Sequence, residues 1–206
     1  MEYTYIIFSI ALVIVVAVII IALIVAVKKQ DYFGGIFESP ERRAGRIGEK
    51  AATDIIKSIL LEDDFLITNA KITYGKQRTE LDNIVINKYG VFIIEVKSYK
   101  GKLVGSENDY EWTKYHTTAA GNTYSKTVKN PIKQVKRQIH ILAKYLNYCG
   151  IDVWITGYTF LLYGNSPVDS TYILYDIHDI DTAIHSPGKN RLSNKTTNTI
   201  ANLLKK

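Results

Sequence analysis

With one cysteine in 206 residues, Cys149, the chain carries no internal disulfide framework and no cysteine-rich zinc site. Its length suits one globular domain of moderate size plus an appendage. Basic residues outnumber acidic ones 26 to 20, and the excess persists when residues 1–29 are set aside. Such a balance suits an anionic partner, either nucleic acid or a membrane surface.

The run from Tyr5 to Val27, YIIFSIALVIVVAVIIIALIVAV, is uncharged and apolar. At ~1.5 Å per residue a helix of this length crosses a hydrocarbon core of roughly 30 Å. A cleaved signal peptide predicts a basic start, a shorter apolar core and a small-x-small cleavage site. Here the chain starts MEYTY and the run ends VAVKKQ, which favours an uncleaved transmembrane anchor over residues 1–29. Lys28 and Lys29 close it, Arg42, Arg43, Arg46 and Lys50 follow, and no Lys or Arg precedes it. The positive-inside rule then gives a single-pass cell-membrane protein with its N-terminus outside and its soluble domain in the cytoplasm. Residues 30–40 read as a juxtamembrane linker, punctuated by Gly34, Gly35 and Pro40. KKQDYFGGIFESP, which contains it, reaches about 45 Å when fully extended, so the domain of residues 41–206 sits close to the bilayer.

That domain opens with a helix over residues 41–61, whose Ala51, Ala52, Ile55, Ile56, Ile59 and Leu60 form one apolar face. DFLITNAKIT, residues 64–73, predicts a strand. ELDNIVINKYGVFIIEVKS, residues 80–98, predicts two more around a turn. Residues 102–115 read as a hairpin with a polar turn, and the mixed polar residues 116–129 as loop. A second helix is expected over 131–149, capped by Asn130, with Pro131 in its first position and Gly150 ending it. Ile132, Val135, Ile139, Leu142 and Leu146 form its buried stripe. Residues 153–163 and 171–177 predict strands, and a last helix, capped by Ser193, covers 194–205. The order implies an α/β or α+β domain around a mixed sheet.

Asp82, Glu95 and Lys97 stand among residues that otherwise look like sheet core. NKYG is a turn signature, and if Asn87 pairs with Gly90, or Ile86 with Val91, then Asp82 lies opposite Glu95. Alternation puts Lys97 on the face of Glu95. A three-residue loop with a glycine bulge fits the same letters and shifts the pairing by one, which puts the two acids on opposite faces. In the even register, two carboxylates facing each other across strands repel, and burying them costs several kcal/mol more. A divalent cation resolves both problems. Mg²⁺ takes one or two carboxylates with waters and substrate phosphate, polarises a phosphoryl oxygen and acidifies bound water. Lys97 would orient that water or neutralise charge on a scissile phosphate. The alternative is a salt cluster at a sheet end, with Lys97 pairing both acids.

Two further stretches bear on that choice. GRIGEKAATDII places Glu49 early on the first helix behind two glycines, and NPIKQVKRQ places Gln134 one turn into the second. GRIGE at 45–49, ELDNIVIN at 80–87, GVFIIEVKSYKG at 90–101, Trp112 after Gly105, and NPIKQ at 130–134 stand in order. Over residues 41–150 the chain resembles the nuclease-related domain (NERD) family of the PD-(D/E)xK nuclease superfamily. The resemblance implies a restriction-endonuclease-like core, a mixed sheet flanked by helices. It also implies Mg²⁺, with Mn²⁺ as substitute, held by the acids Asp82 and Glu95 and the carbonyl of Val96. Lys97 would be the catalytic lysine, Glu49 an accessory acid and Gln134 a helix residue facing the same site. The proline of the superfamily's namesake pair is absent, since Leu81 precedes Asp82.

Lys129, Lys133, Lys136, Arg137 and Lys144 either track a phosphate backbone or form a solvated helix face. Tyr74, Tyr99, Trp112 and Tyr115 either stack unpaired bases or pack. The four histidines have no metal-like spacing and receive no role. Cys149, near a helix end, reads as a small packing residue. Three functions compete: a membrane-anchored, metal-dependent nuclease acting on nucleic acid, with DNA favoured over RNA; an inactive nuclease-fold module that binds nucleic acid; and a membrane scaffold whose basic patch contacts lipid or protein.

Overall fold

The computed structural model describes residues 16, 18–22, 39–187 and 191–205. The chain divides into two units, Met1–Arg43 and Ala44–Lys206. Most of the apolar run 5–27 lies outside the described residues. Residues 16 and 18–22 of it are helical, with Val16, Val18, Ile19, Ile20 and Ile21 exposed. Among the described residues no helix is long and apolar enough to cross a membrane.

The second unit is built on one mixed sheet. Helix α1 (Pro40–Ile59) leads into strands β1 (Phe65–Tyr74), β2 (Gln77–Asn87) and β3 (Gly90–Lys97). Strands β4 (Lys102–Val104), β5 (Glu111–Thr117) and β6 (Thr123–Lys129) form a separate antiparallel sheet. Helix α2 (Pro131–Tyr148) returns the chain to the main sheet, where β7 (Ile155–Leu161) pairs parallel to β3 and the short β8 (Ile173–Leu174) borders β7. Helices α3 (Ile177–His185) and α4 (Asn194–Leu204) complete the unit. The main sheet has the order β1-β2-β3-β7-β8.

The runs Ile84–Ile86 of β2 and Val91–Ile94 of β3 are continuously apolar because both faces of the sheet are covered there. Val91 and Ile93 of β3 pack in one layer with Val135, Leu142 and Leu146 of α2 and Ile200 of α4. Phe92, Ile94 and Val96 pack in the other with Ala52 and Ile56 of α1 and Ile180 and Ile184 of α3. Gly157 of β7 lets α2 lie close, since a Cβ there would meet Ile139 and Val135 at 2.9 Å. Asn130 caps α2 by accepting from the N–H of Ile132 at 2.9 Å, and Ser193 caps α4.

The predicted first helix, the strands around the turn, the second helix and the last helix are all present. Three expectations change. Residues 116–129 are not loop: β5 extends to Thr117 and β6 follows, its side chains mostly exposed, so it has no one-sided apolar pattern to read. The predicted strand at 171–177 shrinks to two residues, and Ile177–His185 is a helix because Asp176 caps it by accepting from the N–H of Asp179 at 2.9 Å. Cys149 is exposed at the C-cap of α2 rather than packed.

His185, one of the four histidines given no role from sequence, is half-buried at the end of α3. One ring nitrogen meets Asp64 before β1 at 2.8 Å and the other meets Asp181 at 2.6 Å. Burial alone would lower its pKa, but the two carboxylates outweigh it and raise it. The protonated ring therefore ties α3 to the α1–β1 turn. That contribution is complete below about pH 6.5 and is lost as pH rises through the raised value. His185→Gln is expected to lower the thermal midpoint more at pH 6 than at pH 9, as measured by circular dichroism at the two pH values.

Candidate active site

The β2–β3 hairpin turns through Lys88 and Tyr89, with Asn87 opposite Gly90 and Ile86 opposite Val91. Asn87 fixes the turn, accepting from the N–H of Tyr89 at 2.8 Å and donating to the carbonyl of Ile184 at 3.0 Å. This is the even register, and it runs as far as Asn83 opposite Ile94. The next pair would be Asp82 and Glu95, and there the ladder stops.

A kink stops it. On β2, Leu81, Ile84 and Ile86 share one apolar layer although strict alternation would put Leu81 on the other side. The phase slips by one residue at Asp82. Across on β1 the partner position is Asn69, unpaired between Thr68–Asn83 and Ala70–Leu81 and held at φ 53°. This left-handed conformation is one that asparagine adopts more readily than most residues. Beyond the kink β2 leaves β3, and the Asp82 carboxylate accepts from the N–H of Val96 at 2.9 Å. In a continued ladder that N–H would face the carbonyl of Leu81. The parted strands open a cleft of about 1010 Å³, lined by Glu49, Asp82, Glu95 and Lys97 with Gln134 of α2.

Glu95 is 1% exposed. One of its oxygens accepts from Lys97 Nζ and from Gln134 Nε2. The other accepts from Gln138 Nε2 at 2.6 Å. Gln138, fully buried, also donates to the carbonyl of Glu80 at 3.0 Å. It therefore bridges the strands at the point where their own ladder ends. Burial pushes Asp82 up to about 7, helped by the nearby charge of Glu95, while the Val96 N–H and Lys97 oppose the rise and Glu49 adds to it. For Lys97 burial opposes the charged form, yet Glu95 outweighs it and the pKa rises. Glu49 reaches the site because α1 lies against the end of β3. A Cβ at Gly48 would meet Leu162 at 2.8 Å and Ser98 at 2.9 Å. A Cβ at Gly45 would meet nothing within 4 Å, so of the two glycines only Gly48 serves this approach.

Asp82, Glu95, Lys97, Glu49 and Gln134 are thus brought together. Val96 contributes its N–H to Asp82. Lys133 and Arg137 line the cleft beside Lys129. Lys136 does not: it pairs with Glu107 at 2.8 Å and lies 4.4 Å from the ring centre of Tyr172. Trp112 is core, its indole N–H donating to the carbonyl of Ser106 at 2.8 Å, so its ring is not open to a base. Gly105 makes room for it, since a Cβ there would sit 2.2 Å from the indole. Gln138 was not foreseen from sequence. Its signal was present: it falls between Val135 and Leu142 on the apolar stripe of α2, where an amide needs buried partners.

Among the described residues no group of three His, Cys, Asp or Glu side chains is set to hold a metal ion. The donors at the cleft floor are carboxylate oxygens, with Glu95 close enough to Asp82 for its charge to raise the pKa of Asp82. That is a set for a hard cation that keeps several waters, as Mg²⁺ does.

A mixed sheet between helices, with paired acids and a lysine where a hairpin parts, makes this a mixed α+β fold. The nuclease-related domain family, NERD, matches residues 44–162, more than half of the chain, and the chain belongs to that family. The match reaches past α2 to take in β7. An uncharacterised protein of Bacillus anthracis is 34% identical over 71 residues, covering 34% of this chain and 33% of that protein. The chain therefore matches about a third of the length of this curated relative. No solved structure matches.

Between pH 4 and 7 the folded state holds a proton on Asp82 that the unfolded chain has released, so stability falls as pH rises through this window. In EDTA, Asp82→Asn is expected to raise stability at pH 8 by on the order of 2 kcal/mol, with the gain shrinking toward pH 5. Gln138→Leu acts in the opposite direction. It leaves Glu95 and the Glu80 carbonyl short of a donor and lowers stability by about 1–3 kcal/mol. Urea unfolding of both variants beside the parent measures the two shifts.

Proposed function

We propose that this protein is a membrane-anchored, metal-dependent nuclease that hydrolyses phosphodiester bonds. One observation carries the proposal: Glu49, Asp82, Glu95, Lys97 and Gln134, drawn from two helices and two strands, converge on one cleft whose side carries Lys129, Lys133 and Arg137. A salt cluster that served the fold alone would have no need of an open cleft. Nor would it need an acid raised to about 7, which costs stability at neutral pH.

Asp82 and Glu95 would hold Mg²⁺ or Mn²⁺, with the Val96 carbonyl as a further ligand and Glu49 nearby. The ion supplies a Lewis acid for the phosphoryl group and lowers the pKa of bound water. Lys97, as an ammonium beside Glu95, donates to the phosphate oxygens on which negative charge grows. Gln134 and Gln138 keep the Glu95 carboxylate from rotating, and Lys133 and Arg137 hold the flanking phosphates in register. DNA is the favoured substrate over RNA. The apolar run 5–27 anchors the chain, and the basic residues after it put the domain on the cytoplasmic side.

The alternative is a module that binds nucleic acid without cutting it. The donors on Glu95 favour it, since Lys97, Gln134 and Gln138 already satisfy both carboxylate oxygens from within the protein.

The full chain in detergent micelles, incubated with plasmid, linear, single-stranded DNA and RNA, separates the two. Cutting is expected with Mg²⁺ or Mn²⁺ and not with EDTA. Asp82→Asn and Lys97→Ala, both folded, are expected to lower the rate at least a hundredfold, the scale of one lost electrostatic catalyst. Salt-sensitive binding with no cutting under any metal would select the binding module.

A further inference from the structure

Tyr110 is held out of the core by a loop that has little freedom of its own. Its side chain is 84% exposed. A single exposed aromatic is ordinary on a protein surface; the backbone beneath this one is not. Asn130, buried at the start of α2, donates through Nδ2 to the carbonyls of Ser106, Glu107 and Asp109 at 3.2, 3.1 and 2.8 Å. Its main-chain N–H donates to the carbonyl of Tyr110 itself at 3.1 Å. Asp109 closes the loop by accepting from the N–H of Ser106 at 2.7 Å, and Lys136 clamps Glu107 at 2.8 Å. The clamped loop carries Tyr110 onto the wall of the cleft that holds Glu49, Asp82 and Glu95, beside Lys129 and Lys133. Lys133 Nζ lies 5.6 Å from the centre of its ring.

We propose that Tyr110 is a stacking platform for one unpaired base of the nucleic acid in the cleft. The reading rests on the nucleic-acid function above and narrows its substrate to single strands or locally opened ends. An aromatic ring with two torsion angles on a fixed backbone loses little entropy when a base stacks on it. Stacking is tolerant of sequence, because every base has a π-face, and it pairs naturally with a cationic groove that follows the phosphates. Lys129, Lys133 and Arg137 supply that groove. In an intact duplex both faces of each base are already stacked on neighbours, so the platform has nothing to receive until a base is splayed out.

The test uses the full chain in detergent micelles with EDTA, so that nothing is cut. A short single strand carrying 2-aminopurine and a blunt duplex of the same sequence are titrated against wild type, Tyr110→Ala and Tyr110→Trp. Tyr110→Ala is expected to weaken single-strand binding roughly tenfold and to abolish quenching of 2-aminopurine. Tyr110→Trp is expected to keep both, and duplex affinity is expected to be the same for all three. If wild type binds in a salt-dependent way and Tyr110→Ala binds the single strand equally well, the platform is overturned and the nuclease proposal stands. An equal loss on single strand and duplex would make Tyr110 a general wall of the cleft and would also overturn it. No binding of any nucleic acid by wild type at low salt would remove both.

Discussion

A carboxylate in the middle of a sheet, almost without access to water, has to be compensated or the sheet does not form. Much of the second unit's architecture reads as that compensation for Glu95. Lys97 comes from the same strand, two residues on, where the pleat returns the side chain to the same face. Gln134 and Gln138 come from α2, one turn apart, and they reach Glu95 only because Gly157 lets the helix lie close on β7. The parting of β2 from β3 gives Gln138 its second acceptor, the carbonyl of Glu80, and gives Asp82 its bond to Val96.

Asp82 plays the opposite part. Glu95 is satisfied by three donors, whereas burial and the nearby charge of Glu95 raise the pKa of Asp82. The two carboxylates thus differ in their partners: Glu95 is held by three side-chain donors, and Asp82 by one backbone N–H. The kink at Asn69 and Asp82 is the geometric counterpart. It forfeits ladder hydrogen bonds and an ordinary backbone conformation at the one place where the cleft requires them to be absent.

Most of this was legible in the sequence. Asn87 and Gly90 set a turn whose register decides where Asp82 and Glu95 meet, and the resemblance to the family supplied Glu49 and Gln134. Three things were not legible. The phase slip at Asp82 leaves no mark in the letters, because nothing sets Asn69 against Asp82 until their strands are paired. The small sheet was half missed because β6, TYSKTVK, is solvated along nearly its whole length, so neither face imposes a hydrophobic period. Helix α3 was not foreseen, because the strand expected over TYILYDI, residues 171–177, runs into its first residue without a break, and only the cap at Asp176 divides them. Gln138 lay in view on the apolar stripe of α2 but was passed over beside Gln134.

The order of strands across the sheet has a consequence for how the molecule assembles. Asp82 and Glu95 are joined by a two-residue turn, so their hairpin closes a short loop and can form early. The amides that bond Glu95 from α2 lie some forty residues further along the chain, beyond the whole β4–β6 sheet, and α2 packs against β7. Closing that longer loop is slower. The hairpin that carries both acids and Lys97 therefore closes over far fewer residues than the contacts that Gln134 and Gln138 make with Glu95.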